Sequence, residues 1–339
     1  MSTVKVSIVV PCFNMEDKIS KCLNSLANQT LKDIEIIVVN DASTDNSESE
    51  ISKYCSIDPR IKLINHVVNK RRGGARNTGI NHSRGEYIGW VDADDWVDEK
   101  MFEYLYNAAK LVDADIAQCN YFNQYPDGKF SRIEPIKKAL VLRDRDILNS
   151  LYTYQRGLFA GLCNKIYKRS LFVSNDIKFA DAYHEDGPIN IQLAYYAKKM
   201  VHVPRLLYYY YHYGKNTSLE VTNLSIDEMI ISTDIAYKFI VEKDISKKEF
   251  SAFIKNFYFR RIVISKLNDI FKSRDPRRYT NYLARKIDDE DFRFIIENVG
   301  TLRMMLVIAL IHNYPLIVIR AILRLLITRD LLLAKLCNA

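Results

Sequence analysis

Between residues 5 and 122 short apolar runs alternate with longer stretches whose apolar positions recur every three or four residues. The runs KVSIVVPCF (5–13), DIEIIVVND (33–41), RIKLINHV (60–67), EYIGWVDA (86–93) and ADIAQCNYF (114–122) are rich in β-branched and aromatic residues, and each is predicted as a strand. The stretches between them, EDKISKCLNSLANQ (16–29), STDNSESEISKYCS (43–56), GGARNTGINHS (73–83) and DEKMFEYLYNAAKLV (98–112), are predicted as helices. Ser43 and Asp45 are placed as N-caps of the second helix. Strands alternating with helices in this way predict βαβ units: an α/β fold with a mainly parallel sheet and flanking helices.

Beyond residue 122 the pattern loosens. Residues 123–225 hold a turn signal, YPDG (125–128), and a tyrosine tract, YYYYHYGKNTS (208–218), that alternation does not resolve; they read as the rest of the same domain. Residues 226–300 are dominated by helical patterns, such as IDEMIISTDIAYKFIVEK (226–243), and form a helical C-terminal region. From 301 to 339 the chain is strongly apolar but interrupted by His312, Asn313, Pro315 and Arg320, so it lacks the unbroken run of about 20 apolar residues that crosses a bilayer. Its bases, Arg303, Arg320, Arg324, Arg329 and Lys335, outnumber its acid, Asp330, which suits helices lying on an anionic leaflet. A helical pair buried in a core or dimer interface fits the same pattern, and both readings stay open.

Composition narrows the class. A 339-residue chain with 48% hydrophobic residues can bury a large core, which excludes a disordered protein. The net charge of +8 suits anionic partners without choosing among them. Six scattered cysteines form neither a C-x-x-C pair nor a His/Cys cluster, as expected of a reducing cytoplasm. The N-terminal run is broken at Pro11 and too short for a signal peptide, so export is not expected.

In open α/β sheets ligands bind beyond the carboxyl ends of the strands, and there this chain concentrates its polar residues. Asp92 and Asp94 are i, i+2 neighbours, which on an extended chain point to one side; two hard oxygen donors suit Mg²⁺ or Mn²⁺ beside a phosphate, or else a solvated helix start. Asp41 can accept from a base N–H or ribose hydroxyl, or cap a turn. Lys70, Arg71, Arg72 and Arg76, around two glycines, suit a diphosphate cradle or an exposed basic turn. Neither G-x-G-x-x-G nor a P-loop is present, and carboxylates interleave with the bases, which argues against nucleic acid as a partner.

Taken in order, VSIVVPCFN, IEIIVVNDASTDNS, NKRRGGARNTGI and YIGWVDADDWVD over residues 6–98, followed by HEDGPIN and CNKIYKRSLF, resemble glycosyltransferase family 2. The resemblance implies a Rossmann-like fold and an inverting, metal-dependent transfer of a sugar from a nucleotide diphosphate, UDP above all, to a glycan or lipid-linked saccharide in bacterial surface-polysaccharide synthesis. By the same likeness residues 1–225 are the catalytic domain, with a nucleotide-sugar-binding half (1–122) and an acceptor half (123–225), and the protein sits in the cytoplasm, peripheral on the inner membrane face. Pro11 and Asn14 would line the nucleotide pocket, Asp41 would hold the uracil or ribose, and Arg71 and Arg76 would serve the diphosphate. Asp92 would contact ribose and metal, Asp94 would be the principal ligand of Mn²⁺ or Mg²⁺, and Asp186 would be the base, with Glu185 or His184 orienting substrate. Lys215 and Ser218 would reach the diphosphate or serve the fold, Trp90 and Trp96 flank the metal site, and Arg71 and Arg72 depart from the glycine and bulky apolar residue common in the family. A sugar nucleotidyltransferase and a noncatalytic nucleotide-sugar-binding scaffold are the alternatives, and a homo-oligomer stays open.

Overall fold

A computed structural model describes residues 3–132, 137–153, 161–180, 185–212 and 221–245, together with 267, 270, 271, 273–285, 306, 309, 310, 314–319, 321, 322 and 325. His184, Lys215, Ser218 and most of 301–339 lie outside the described residues. The chain divides into two compact units, Met1–Ile147 with Ala160–Tyr213, and Leu148–Phe159 with Gly214–Ala339.

In the first unit the predicted alternation is realised as β1 (Val6–Cys12), α1 (Ile19–Ala27), β2 (Ile34–Asn40), α2 (Ser47–Ile57), β3 (Ile61–Asn65), α3 (Arg71–His82), β4 (Tyr87–Trp90), β5 (Trp96–Val97), α4 (Met101–Val112) and β6 (Ile116–Gln124). It continues through β7 (Phe130–Arg132), β8 (Leu140–Arg143), α5 (Arg145–Thr153), β9 (Lys165–Lys168), α6 (Arg169–Ser174), α7 (Asp186–Tyr196) and β10 (Lys199–Tyr211). The strands form one ten-stranded sheet, ordered β3-β2-β1-β4-β9-β6-β10-β5, with β7 on β6 and β8 on β10. Strands β1, β2, β3, β4, β6 and β10 run in one direction, so the expected parallel Rossmann-like α/β sheet is present. The inserted strand was not legible beforehand: KIYK of β9 runs antiparallel between β4 and β6.

Helices cover both faces of the central strands, which explains why β2 is buried at every position and reads as a continuous apolar run. One large core gathers Ile8, Val10, Ile36 and Val38 of the sheet with Leu23 and Leu26 of α1 and Phe102 and Leu105 of α4. The cap placement holds in part. Asn46 is the N-cap of α2 and makes no side-chain cap bond, but Asp45 Oδ1 accepts from Ser47 N–H (2.9 Å) at the first residue of α2; Ser43 does not cap, and Ser43 Oγ and Asp45 Oδ2 accept from the backbone N–H groups of Asn14 (3.0 Å) and Glu16 (3.1 Å). Two loops at the carboxyl edge are thereby tied together, because carboxylates and hydroxyls satisfy whichever orphan N–H lies nearest.

The second unit includes α8 (Asn223–Glu242) and α9 (Pro276–Ala284). Thr222 and Ser225 form a reciprocal capping box at α8, and Asp275 caps α9 ahead of Pro276. Ile226, Met229, Leu267, Ile270 and Leu283 share a core with Leu306, Ala309, Leu310 and Ile319. Part of the apolar C-terminal segment is thus core. Among the described residues no helix is long and apolar enough to cross a membrane.

Helix α3 carries Arg71, Arg72 and Arg76, and its seat on β1 depends on Gly79. A Cβ there would collide with Val9 Cγ1 and sit 2.9 Å from Cγ2. Gly79→Ala should destabilise the protein by about 1–3 kcal/mol, the usual range for overpacking, seen as a lower urea midpoint at unchanged slope.

Candidate active site

The site begins where the sheet opens. Strand β1 stays paired with β2 as far as Cys12–Asn40, but its pairing with β4 stops at Val9–Trp90. Pro11 has no N–H to continue that ladder, so the chain after β4 leaves the sheet and turns through Asp92, Ala93, Asp94 and Asp95.

Four charged groups from three elements converge on this turn. The guanidinium of Arg76, buried in α3, gives Nη2–H to Asp92 Oδ1 (3.0 Å) and Nη1–H to Glu185 Oε1 (2.5 Å), immediately before Asp186 opens α7. Its Nε is buried without a partner. Burial works against the charge of Arg76, but Asp92 and Glu185 raise its pKa further. Arg72 is exposed at the surface of α3; local desolvation opposes its charge, and the carboxylates of Asp92, Glu185, Asp94 and Asp186 raise its pKa. For Asp92, burial pushes upward, yet Arg76 and Arg72 hold the carboxyl below its usual range. Arg76, expected at the diphosphate, is therefore engaged with two carboxylates.

Asp94 has the opposite environment. Burial, reinforced by the charge of Asp92, pushes its pKa up to about 6. A cavity of about 430 Å³ lies beside it, lined by Asp17, Lys18, Lys21, Trp96 and Tyr211 among others. Lys21 Nζ sits 3.0 Å above the Trp96 ring, which stacks on Tyr209. Trp90 packs edge-on against Phe172 and Phe179 inside the core.

Asp95 had no predicted role and turns out to latch the turn. Its Oδ2 accepts from Tyr208 Oη–H (2.5 Å) and its Oδ1 from Tyr211 N–H (2.8 Å), while Asp92 N–H donates to Tyr208 Oη (3.3 Å). The signal was present in the tyrosine tract, which folds as the end of β10. Asp92, Asp95 and Cys163 also approach one another closely enough to hold a metal ion. Burial and the neighbouring carboxylates of Asp94 and Asp92 push Asp95 well up, and burial does the same to the Cys163 thiol. Both Asp95 oxygens are already taken by Tyr208 and Tyr211, and a soft thiol suits Mg²⁺ or Mn²⁺ poorly, so Asp94 is the better hard donor.

Cys163 reaches Asp92 from a buried turn whose Asn164 has φ +62°. Lys165 fastens that turn, giving Nζ–H to Gly161 O (2.5 Å) and Asn164 Oδ1 (3.2 Å).

At the far end of the opening, Asp41 follows β2 with its side chain 4% exposed. Its Oδ1 accepts from His66 Nδ1–H (2.6 Å) and Lys70 N–H (2.8 Å), and His66 Nε2 lies 2.8 Å from Thr78 Oγ1. Asn14, at φ +52°, accepts at Oδ1 from Thr44 N–H (2.8 Å). Arg71, at φ +59°, starts α3 on the surface. Structure thus brings Pro11, Asn14, Asp41, Arg71, Arg76, Asp92, Asp94, Glu185 and Asp186 to one edge of the sheet, whereas His184 is outside the described residues.

Residues 7–174 match the model of glycosyl transferase family 2. Glycosyltransferase GlyG of Streptococcus pneumoniae serotype 4 is 34% identical over 215 residues, 60% of this chain and 70% of GlyG. The chain belongs to glycosyl transferase family 2. The uncharacterized glycosyltransferase EpsJ of Bacillus subtilis is 35% identical over 60% of this chain and 60% of its own, less than two thirds of that relative. S. aureus TarS, solved with UDP-GlcNAc, has the same fold: TM-score 0.74 at 22% identity, covering 91% of this chain and 89% of that one. Arg71 and Arg72, the departures from the family pattern, both lie exposed at the start of α3.

Burial lowers the pKa of Lys165 to about 7, against partial opposition from Cys163, Cys119 and Asp186. Between pH 7 and 10.5 the unfolded lysine holds a proton that the folded one has lost, so stability should rise with pH across that window. Lys165→Met should abolish this component, the wild-type-minus-variant stability changing by up to about 1.4 kcal/mol per pH unit in urea titrations.

Proposed function

We propose that this chain is an inverting glycosyltransferase that moves a sugar from a nucleoside diphosphate, UDP above all, to a hydroxyl of a glycan acceptor. The observation that carries the reading is the buried guanidinium of Arg76, which bridges Asp92 after β4 (3.0 Å) and Glu185, next to Asp186 at the start of α7 (2.5 Å). Donor-side and acceptor-side carboxylates therefore share one site. TarS, of like fold, was solved with UDP-GlcNAc, which supports a UDP-sugar donor.

Asp94 fits a divalent cation: its carboxylate is desolvated and crowded by Asp92, and it has no side-chain partner among the described residues. Mn²⁺ or Mg²⁺ held there by Asp94, with Asp92 beside it, would supply charge stabilisation to the donor's phosphates. The rest is the work of the chain's own groups. Asp41 takes the base or ribose, Asn14 and Pro11 border the nucleotide, and Arg71 serves the diphosphate from the start of α3. Arg76 positions Asp92 and Glu185. Asp186 accepts the proton of the attacking hydroxyl while that oxygen bonds to the anomeric carbon and the diphosphate leaves with the electron pair, which inverts the centre.

Peripheral contact with an anionic inner membrane face belongs to the same reading, with a lipid-linked saccharide as acceptor. Ile317 and Leu325 are 76% and 60% exposed, whereas Leu306, Leu310 and Ile319 are core. Ile317→Glu with Leu325→Glu should reduce sedimentation with anionic liposomes and leave UDP binding intact; unchanged sedimentation would remove the membrane from the proposal.

Asp94→Ala should abolish the Mn²⁺-dependent part of UDP affinity in calorimetry, and equal affinity with and without EDTA in the wild type would refute the metal. Asp186→Asn should lower turnover by about 10²- to 10⁴-fold at nearly unchanged donor affinity. The product from an α-linked donor should be β-linked by NMR.

A further inference from the structure

The pair Asp41–His66 carries more than a hydrogen bond. An ionised carboxylate only accepts, so His66 Nδ1 must be the donor at 2.6 Å, and Lys70 N–H is a second donor to the same oxygen at 2.8 Å. These two fill the lone pairs of Oδ1. Oδ2 has no partner among the described residues, although the side chain is 96% buried by its 4% exposure. Around this acceptor the strand-end loops expose Phe13 (44%) and Val68 (63%), apolar surface of the sort a base ring covers.

The bases differ in what they offer one remaining oxygen. Uracil and thymine present a single imide N3–H between two carbonyls. Guanine presents N1–H and N2–H side by side, a pair that matches both oxygens of a carboxylate at once. Cytosine has an acceptor at N3 and would face the carboxylate unpaired.

We propose that His66 is a specificity-determining residue: by occupying Asp41 Oδ1 it restricts Asp41 to one acceptor and so selects imide bases, uracil or thymine, over guanine. Thr78 positions it, holding Nε2 from α3 at 2.8 Å and so preventing the ring from turning away. The inference rests on the nucleotide reading of the site and adds the residue that chooses the base.

The test is calorimetric titration of the full chain with UDP and with GDP, each in excess Mn²⁺, because the ratio of the two affinities cancels the shared diphosphate. Wild type should prefer UDP by at least about tenfold. His66→Phe keeps the ring volume but has no donor, and should narrow that ratio by about tenfold, the worth of one buried hydrogen bond to a charged group. Asn Nδ2–H can reach the same oxygen, so His66→Asn should retain the wild-type ratio. Thr78→Val, a near-isosteric change, frees the ring and should narrow the ratio in the same direction as His66→Phe, which keeps the test decisive if that variant does not fold. Wild-type preference for UDP with an unchanged ratio in His66→Phe, or in Thr78→Val where His66→Phe does not fold, would overturn the role of His66 and leave the nucleotide site standing. Wild type that binds GDP as tightly as UDP would overturn the selection by His66 while the nucleotide site stands, and wild type that binds neither would overturn the nucleotide reading itself.

Discussion

A guanidinium buried between two carboxylates is the interaction on which the site depends. Arg76 lies 3.0 Å from Asp92 and 2.5 Å from Glu185, so it ties the turn after β4 to the start of α7. Taking three charges out of water is expensive, and such a cluster is tolerated only when every member is paired. Removing Arg76 would strand two carboxylates beside Asp94 and Asp95, where like charges already push one another's pKa values upward. The ion pairs are therefore weak evidence of net stability and strong evidence of geometry: they fix where the carboxylates are.

Around that bridge the turn is clamped from two further directions. Tyr208 and Tyr211 hold Asp95 from β10, Cys163 meets Asp92 from the turn before β9, and Lys165 fastens that turn. These contacts leave Asp94 as the carboxylate facing the cavity with its charge least compensated. In a desolvated setting a cation is the simplest counterpart to such a group. Rigidity in the neighbours and unmet demand at Asp94 are two consequences of one arrangement.

The nucleotide end follows the same logic on a smaller scale. Asp41 is held by a side chain and a backbone N–H at one oxygen, so its direction is set before any ligand arrives. Preorganised acceptors of this kind discriminate between ligands because the protein has already satisfied every alternative partner.

The sequence by itself determined the first half of the fold and most of the site's residue types. Period-2 and period-3.6 patterns placed β1 to β4, β6 and α1 to α4, since each element buries one face or both and must repeat accordingly. Strand-end carboxylates at 41, 92 and 94 were legible because polar residues have no other reason to interrupt apolar strands at one edge. Partner choice was decided only by the tertiary structure. Lys165 in KIYK reads like a surface strand residue until β9 is inserted between β4 and β6, and the tyrosine tract has no readable face until β10 runs past Asp95. Arg76 looked like a phosphate ligand because charge is visible in a sequence and distance is not; Glu185 stands 109 positions away and only folding brings it within 2.5 Å. Periodicity is local and survives in the sequence, whereas which buried charge meets which depends on contacts between distant segments, and those exist only in the packed molecule.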